Sequence, residues 1–151
     1  MQIKTKAFGE VEVADDRIIE FPGGIVGFPN LTKFTLLHDE EKGVATIHWL
    51  QSIDEPAFAM PVMDPLLVSP TYNPEVDDEL LKPIGDLTAE DLLVLVTVSV
   101  PKDITQMTAN LRGPVVINSA TKKAVQIILE AEDYQVKFPI YEILKAGKEG
   151  D

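Results

Sequence analysis

Among its 151 residues the sequence has no cysteine. That excludes a disulfide framework, a thiolate metal site and a cysteine nucleophile. Histidine is scarce as well, with only His38 and His48, ten residues apart. A transition-metal centre would need both imidazoles joined to carboxylates by the fold, and nothing in the spacing suggests it. Neither a metal nor any other cofactor is expected. Long apolar runs are also missing. Charged residues or Pro interrupt every stretch well short of the roughly 20 residues that span a bilayer. The N-terminus, Met1-Gln2-Ile3-Lys4-Thr5, leads into a polar alternation with no apolar signal-peptide core. A cytoplasmic protein that meets no membrane is the expectation.

Positive charge is the other shortage. Lys and Arg number 13 against 25 acids, for a net charge of −12. Phosphates and anionic lipid would both be repelled, which argues against direct binding to nucleic acid or to membrane. A basic partner is compatible with the balance. The acids are gathered rather than spread. Glu75 to Asp91 holds Glu75, Asp77, Asp78, Glu79, Asp86, Glu90 and Asp91 against Lys82 alone, half of the net charge. Such a run is either a solvated, weakly helical surface or a negative face that steers a basic partner. Glu75, Asp77, Asp78 and Glu79 are the candidates for steering.

Catalytic patterns are thin. The glycines of Pro22-Gly23-Gly24-Ile25-Val26-Gly27 match neither a dinucleotide fingerprint nor a phosphate loop. Ser52, Ser69, Ser99 and Ser119 lack the flanking glycines of a nucleophile elbow. Paired carboxylates such as Asp77-Asp78 and Glu90-Asp91 sit in charged stretches where solvated turns are the default. A non-enzymatic protein is the stronger reading.

What the chain does have is short strands and breakers. Ile3 to Val13 reads as a hairpin around Phe8-Gly9, and Ile18 to Phe21 is a short apolar piece stopped by Pro22-Gly23-Gly24. Ile25 to Pro29 should be a structured loop. Phe34 to His38, Ala45 to Ser52 and Phe58 to Val62 read as strands, the first two separated by the acidic turn at Asp39 to Gly43. Pro65, Pro70 and Pro74 predict an irregular extended crossing from Asp64 to Pro74. Glu75 to Leu81 could make about one and a half helical turns, and Thr88-Ala89-Glu90-Asp91 resembles a capping box. Leu92 to Val100 alternates as a strand buried on one side throughout and on both near its start. Lys123 to Leu129 and Tyr134 to Ile140 follow, with Val125, Ile127 and Leu129, then Tyr134, Val136, Phe138 and Ile140, as inward sets, and a turn at Glu130 to Asp133 between them. Tyr141 to Leu144 could add a helical turn. The sum is an all-β, single-domain antiparallel barrel-like fold over residues 1–145 with one or two short helical turns. Residues 146–151 form a frayed polar tail.

The focal stretch is Met107 to Asn118, Met-Thr-Ala-Asn-Leu-Arg-Gly-Pro-Val-Val-Ile-Asn. Gly113-Pro114 breaks the backbone between two extended pieces, Gly by a φ other residues avoid and Pro by its fixed φ and missing donor. Asn110, Arg112 and Asn118 stand in or beside this apolar segment. They either satisfy loose backbone groups of a bent strand or are presented to a partner from a rigid β edge.

Several segments resemble the FliW family of bacterial flagellar assembly factors. They are Gly24-Ile25-Val26-Gly27-Phe28-Pro29 with Phe34, Leu50-Gln51-Ser52 with Pro56 and Phe58, and Asp64-Pro65 with Tyr72. The Met107 to Asn118 run, followed by Lys123, Ala124 and Gln126, completes the set. Arg112-Gly113 stands where the family often has a residue and Ala before the Pro. The resemblance implies a β-barrel-like regulator with two protein partners, flagellin and the dimeric RNA-binding repressor CsrA. Accumulated flagellin occupies FliW and leaves CsrA free to repress flagellin translation. Once flagellin is exported, FliW antagonises CsrA allosterically, one molecule on each half of the dimer. This chain would then be a monomer when free. Candidate contact residues are Phe28, Pro29, Tyr72, Met107, Asn110, Arg112 and Asn118. The alternative is a small-ligand- or carbohydrate-binding barrel, for which one Trp (Trp49) and three Tyr are a thin stacking inventory. A deep polar pocket would favour that alternative, and a shallow apolar groove would not.

Overall fold

The computed structural model describes residues 2–6, 9–37, 47–74, 76, 78–85, 88, 90–129 and 134–144. Breakers set the length of its strands. The predicted N-terminal hairpin forms from β1 (Gln2–Thr5) and β2 (Gly9–Glu12), with Gln2 opposite Glu12. There follow β3 (Ile19–Glu20), β4 (Lys33–Leu37), β5 (Ile47–Ser52), β6 (Ala59–Met63) and β7 (Leu92–Ser99). The last four are β8 (Thr108–Ala109), β9 (Val115–Asn118), β10 (Lys123–Gln126) and β11 (Phe138–Pro139).

Neighbouring strands run β7-β6-β5-β4-β3-β10-β9, and β9 returns to β7, so seven strands close into a barrel. Beyond β9, β8 continues along β7 and carries β11 on its other edge. Among the described residues every strand pairing is antiparallel except one. β3 and β10 run parallel, with Lys123 opposite Glu20. The contact begins at the β9–β10 turn, where Lys122 takes a φ of 60° and its carbonyl accepts the Glu20 N–H at 2.8 Å.

Side chains fill the barrel. Phe21, Phe34, Leu50, Val62, Leu95, Val115 and Ile117 form one buried cluster, with Phe21 and Phe34 edge to face at 5.2 Å. Outside the barrel wall a second cluster joins Met63, Val96, Val98 and Leu111 to Val68, Tyr72 and Ile140. A third gathers Ile84, Val116, Ile127 and Leu129. The strand β7 serves both sides. Leu95 packs inside while Val96 and Val98 pack outside. Burial on both faces therefore falls at the middle of β7, not at its start as the pattern suggested. Leu92 and Leu93 stand partly in solvent, 43% and 38% exposed.

The crossing from 64 to 74 is irregular, as predicted, apart from one 3-10 turn at Pro65–Leu67, where the Asp64 carboxylate accepts the Leu66 N–H at 2.9 Å. The predicted helical turn is α1 (Asp78–Leu81), continued by a 3-10 turn at Lys82–Ile84. At Thr88 the hydroxyl donates to the Asp91 carboxylate at 2.9 Å, and the Asp91 N–H returns to the Thr88 carbonyl. The capping pattern thus closes a tight turn that runs straight into β7. Residues 141–144 make the expected helical turn. Val136 is exposed rather than inward, because only Phe138–Pro139 of that segment joins the sheet. The turns predicted at 39–43 and 130–133 and the tail at 146–151 lie outside the described residues.

The loop at 22–30 is tightly wound. Ile25 and Phe28 exchange backbone hydrogen bonds across two residues, and Gly24 holds a φ of +71° with Pro29 backbone 2.5 Å from where a Cβ would lie. Replacing Gly24 by Ala should destabilise the fold by about 2–4 kcal/mol through the clash and the left-handed φ together. Gly23→Ala meets nothing within 4 Å and should stay within about 0.5 kcal/mol of wild type. Urea unfolding of the two variants side by side checks both values.

Candidate functional site

The Met107 to Asn118 stretch lies along a single edge of β7 in two registers. From Val98 to Leu95 β7 advances three residues, while its partner advances six, from Ala109 to Val115. Three extra residues are therefore extruded at 110–114 as a bulge, and each carbonyl or amide it frees needs a partner. The Asn110 N–H keeps the ladder by donating to Thr97 O. Leu111 donates to Gln135 O, and its carbonyl accepts the Tyr72 hydroxyl at 2.6 Å. Asn110 Oδ1 accepts the Arg112 N–H at 3.0 Å, and Arg112 O accepts from Leu129. Gly113 O accepts from Gln126 Nε2 at 3.3 Å, and Pro114 O from the Ile127 N–H.

Gly113 does not take the unusual φ expected of it. It is absent from the glycines with positive φ, and a Cβ there would sit 3.1 Å from Asn110 Nδ2. Asn118 is wholly buried and shapes the next turn. Its Nδ2 donates to Ile84 O at 2.9 Å while its Oδ1 accepts the Ala120 N–H at 3.0 Å. Both amides thus hold backbone.

The candidate contact residues divide accordingly. Phe28 is 48% exposed and lies 4.9 Å from the Phe58 ring, and Pro29 beside it is exposed. Asn110 and Arg112 are partly buried on the bulge, where Arg112 Nε donates to Leu129 O at 3.1 Å. Tyr72, Met107 and Asn118 are buried. Each closes the core or satisfies backbone. One residue outside that candidate set ties the two exposed parts together. Gln126 reaches the bulge through Nε2 and the Phe28 loop through Oε1, which accepts the Val26 N–H at 3.0 Å. As the last residue of β10 it can do both, but its sequence position does not advertise the role.

A second feature had no sequence candidate. The 64–74 crossing, Val76, α1 and the start of β7 line an open groove of about 500 Å³. Its floor is Tyr72, Val94, Pro114 and Val116, and Leu66 and Leu92 stand at its sides, 52% and 43% exposed. Acids border it. Asp64 lines it, Asp78 and Glu79 are exposed on the adjoining α1, and Asp91 precedes Leu92. Glu79 pairs with Lys82 at 2.9 Å, both well exposed, an arrangement worth little to stability. The steering candidates Glu75 and Asp77 lie outside the described residues. Among the described residues no three His, Asp or Glu side chains are grouped to hold a metal.

The architecture defines a class: a small closed barrel with a packed interior. The comparisons give the family. A family model described as FliW protein matches residues 2–140. Relatives named flagellar assembly factor FliW include one from Lachnospira eligens, 49% identical over 147 residues (96% of this chain, 97% of the relative). Another, from Lachnoclostridium phytofermentans, is 44% identical over 143 residues (94% and 92%). A crystal structure of the flagellar assembly factor FliW superposes with a TM-score of 0.86 at 30% identity, covering 93% of this chain and 97% of that one. The chain belongs to the FliW family.

Burial pushes the Tyr72 hydroxyl up to about 12, with the neighbouring Tyr134 adding to the shift. The folded state therefore keeps a proton that the unfolded chain loses above its ordinary value of about 10. This contribution to stability should be intact below pH 10 and should fall as pH rises from 10 to 12. Tyr72→Phe should remove that alkaline slope. At neutral pH it should cost about 1–3 kcal/mol, because the buried Leu111 carbonyl loses its donor. Denaturant titrations at a series of pH values measure both effects.

Proposed function

We propose that this chain is a cytoplasmic flagellar assembly factor that acts by binding, with no catalytic step of its own. Its partners in this reading are flagellin and CsrA. Flagellin held in the cytoplasm occupies the protein and leaves CsrA free to repress flagellin translation. Flagellin export frees the protein to antagonise CsrA from a surface away from the RNA-binding face. The observation that carries the reading is near full-length similarity to relatives named flagellar assembly factor FliW. Electrostatics supports it further. An RNA-binding protein is basic, and a partner with a net charge of −12 gains association rate from opposite charge while repelling RNA held nearby. The Phe28 loop and the bulge with Asn110 and Arg112 are proposed as contact elements. The ligand-binding alternative finds no support in a barrel filled by Phe21, Phe34, Leu50 and Val62, nor in a groove lined chiefly by apolar residues.

The test is a competition. Mixed with each protein separately, the chain should co-elute with CsrA and with flagellin, and added flagellin should displace CsrA. Failure to bind either at moderate salt would overturn the proposal. Reversing Asp78 and Glu79 to Lys should slow CsrA association several-fold at low salt and flatten its salt dependence, as followed by stopped-flow. Unchanged kinetics would remove the steering role from α1.

A further inference from the structure

We propose that the open edge of β7 at Leu92 and Val94 captures an extended segment of a partner protein as an added strand. The segment lies in the groove and is apolar at alternate positions. This goes beyond the reading above and does not depend on which partner supplies the segment.

The phase of the ladder shows which backbone groups are open. Ser119 N–H donates to Asp91 O, and Asn110 N–H donates to Thr97 O. Both acceptors lie on the edge of β7 that holds β9 and β8. Successive residues of an antiparallel strand turn their backbone groups to opposite edges. Leu93 and Leu95 therefore point to β9, while Leu92, Val94 and Val96 point the other way. Val96 meets β6 there, opposite Met63. Among the described residues no strand stands opposite Leu92 or Val94 on that edge, and no backbone group bonds to them from it.

The sequence explains why β6 stops short. Its register, continued past Met63, would set Pro65 against Val94, and Pro has no N–H to give. Asp64 starts a 3-10 turn instead, its carboxylate accepting the Leu66 N–H and its carbonyl the Leu67 N–H. The chain leaves the sheet, and the space it vacates beside β7 is part of the groove. The N–H and C=O groups of Leu92 and Val94 face that space. An extended backbone is their complement.

The lining selects the side chains of the added strand. Leu66, Val76, Leu81, Leu92 and Val94 all border the groove. Asp64 is the one acid among the lining residues, and it already accepts the Leu66 N–H. Every second residue of an added strand points to the same face. Apolar residues at alternate positions therefore fit, and charge on the segment is not what the groove reads.

The test reads amide hydrogen exchange by NMR. The probe is an acetylated, amidated peptide of about six residues, a common strand length, in which Thr alternates with Val. Two further copies carry N-methyl groups, one on the Val nitrogens and one on the Thr nitrogens, so that each lacks the donors of one edge. In the free protein the Leu92 and Val94 amides should exchange at least about tenfold faster than those of Leu93 and Leu95. The parent peptide should slow Leu92 and Val94 at least about tenfold, and at least one of the methylated copies should fail to do so. No protection at the peptide's solubility limit, or protection that neither methylation disturbs, would overturn the added strand. Protection that rises with protein concentration in the absence of peptide would assign the edge to a second copy of this chain and overturn it too. Neither CsrA nor flagellin enters the measurement, so its outcome is separate from that of the competition above.

Discussion

Three surplus residues on one edge of β7 govern this fold. A closed barrel tolerates such an extrusion only when the freed backbone groups find partners, since an unpaired buried carbonyl costs about as much as a lost hydrogen bond. The partners come from distant parts of the chain. Tyr72 serves Leu111, Leu129 serves Arg112, Gln126 serves Gly113 and Ile127 serves Pro114. The crossing, β10 and the segment after it are thereby drawn to one place. The packing of the outer wall follows from this gathering, because Leu111 and Tyr72 enter the same apolar cluster.

A filled barrel leaves its outside for recognition. Exposed large apolar side chains include Phe28, Leu66 and Leu92. Each is supported from beneath by ordered structure: Phe58 under Phe28, the Pro65–Leu67 turn under Leu66, and the β7–β9 ladder under Leu92. Side chains held this way lose little entropy if they are covered.

Much of the architecture was legible in the sequence, because local signals and period-2 alternation report it directly. The β1–β2 hairpin, the strands β4 to β7, the proline-broken crossing and the short helix all follow from nearest neighbours. What was hidden depends on distant chain. The parallel meeting of β3 and β10 joins residues about a hundred apart and has no turn to announce it. Val94 and Leu92 share a face of β7, yet only what lies over that face decides which is covered. Tyr72, Met107 and Asn118 carry polar or polarisable groups that suit a contact surface as well as they suit backbone support. Their burial is not a local property and could not be read from the residue types. Gly113 shows the same limit, since its close approach to Asn110 Nδ2 joins groups whose contact its own residue type does not announce.

The single parallel contact, between Glu20 and the chain around Lys122 and Lys123, has a consequence for synthesis. During translation the strands β3 to β7 can pair in sequence order, but the ring stays open until β9 and β10 have left the ribosome. Until then β3 shows one unpaired edge and the aromatic interior around Phe21 and Phe34 is uncovered. Barrel closure is thus a late, long-range event, of the kind that folds on the millisecond-to-second scale.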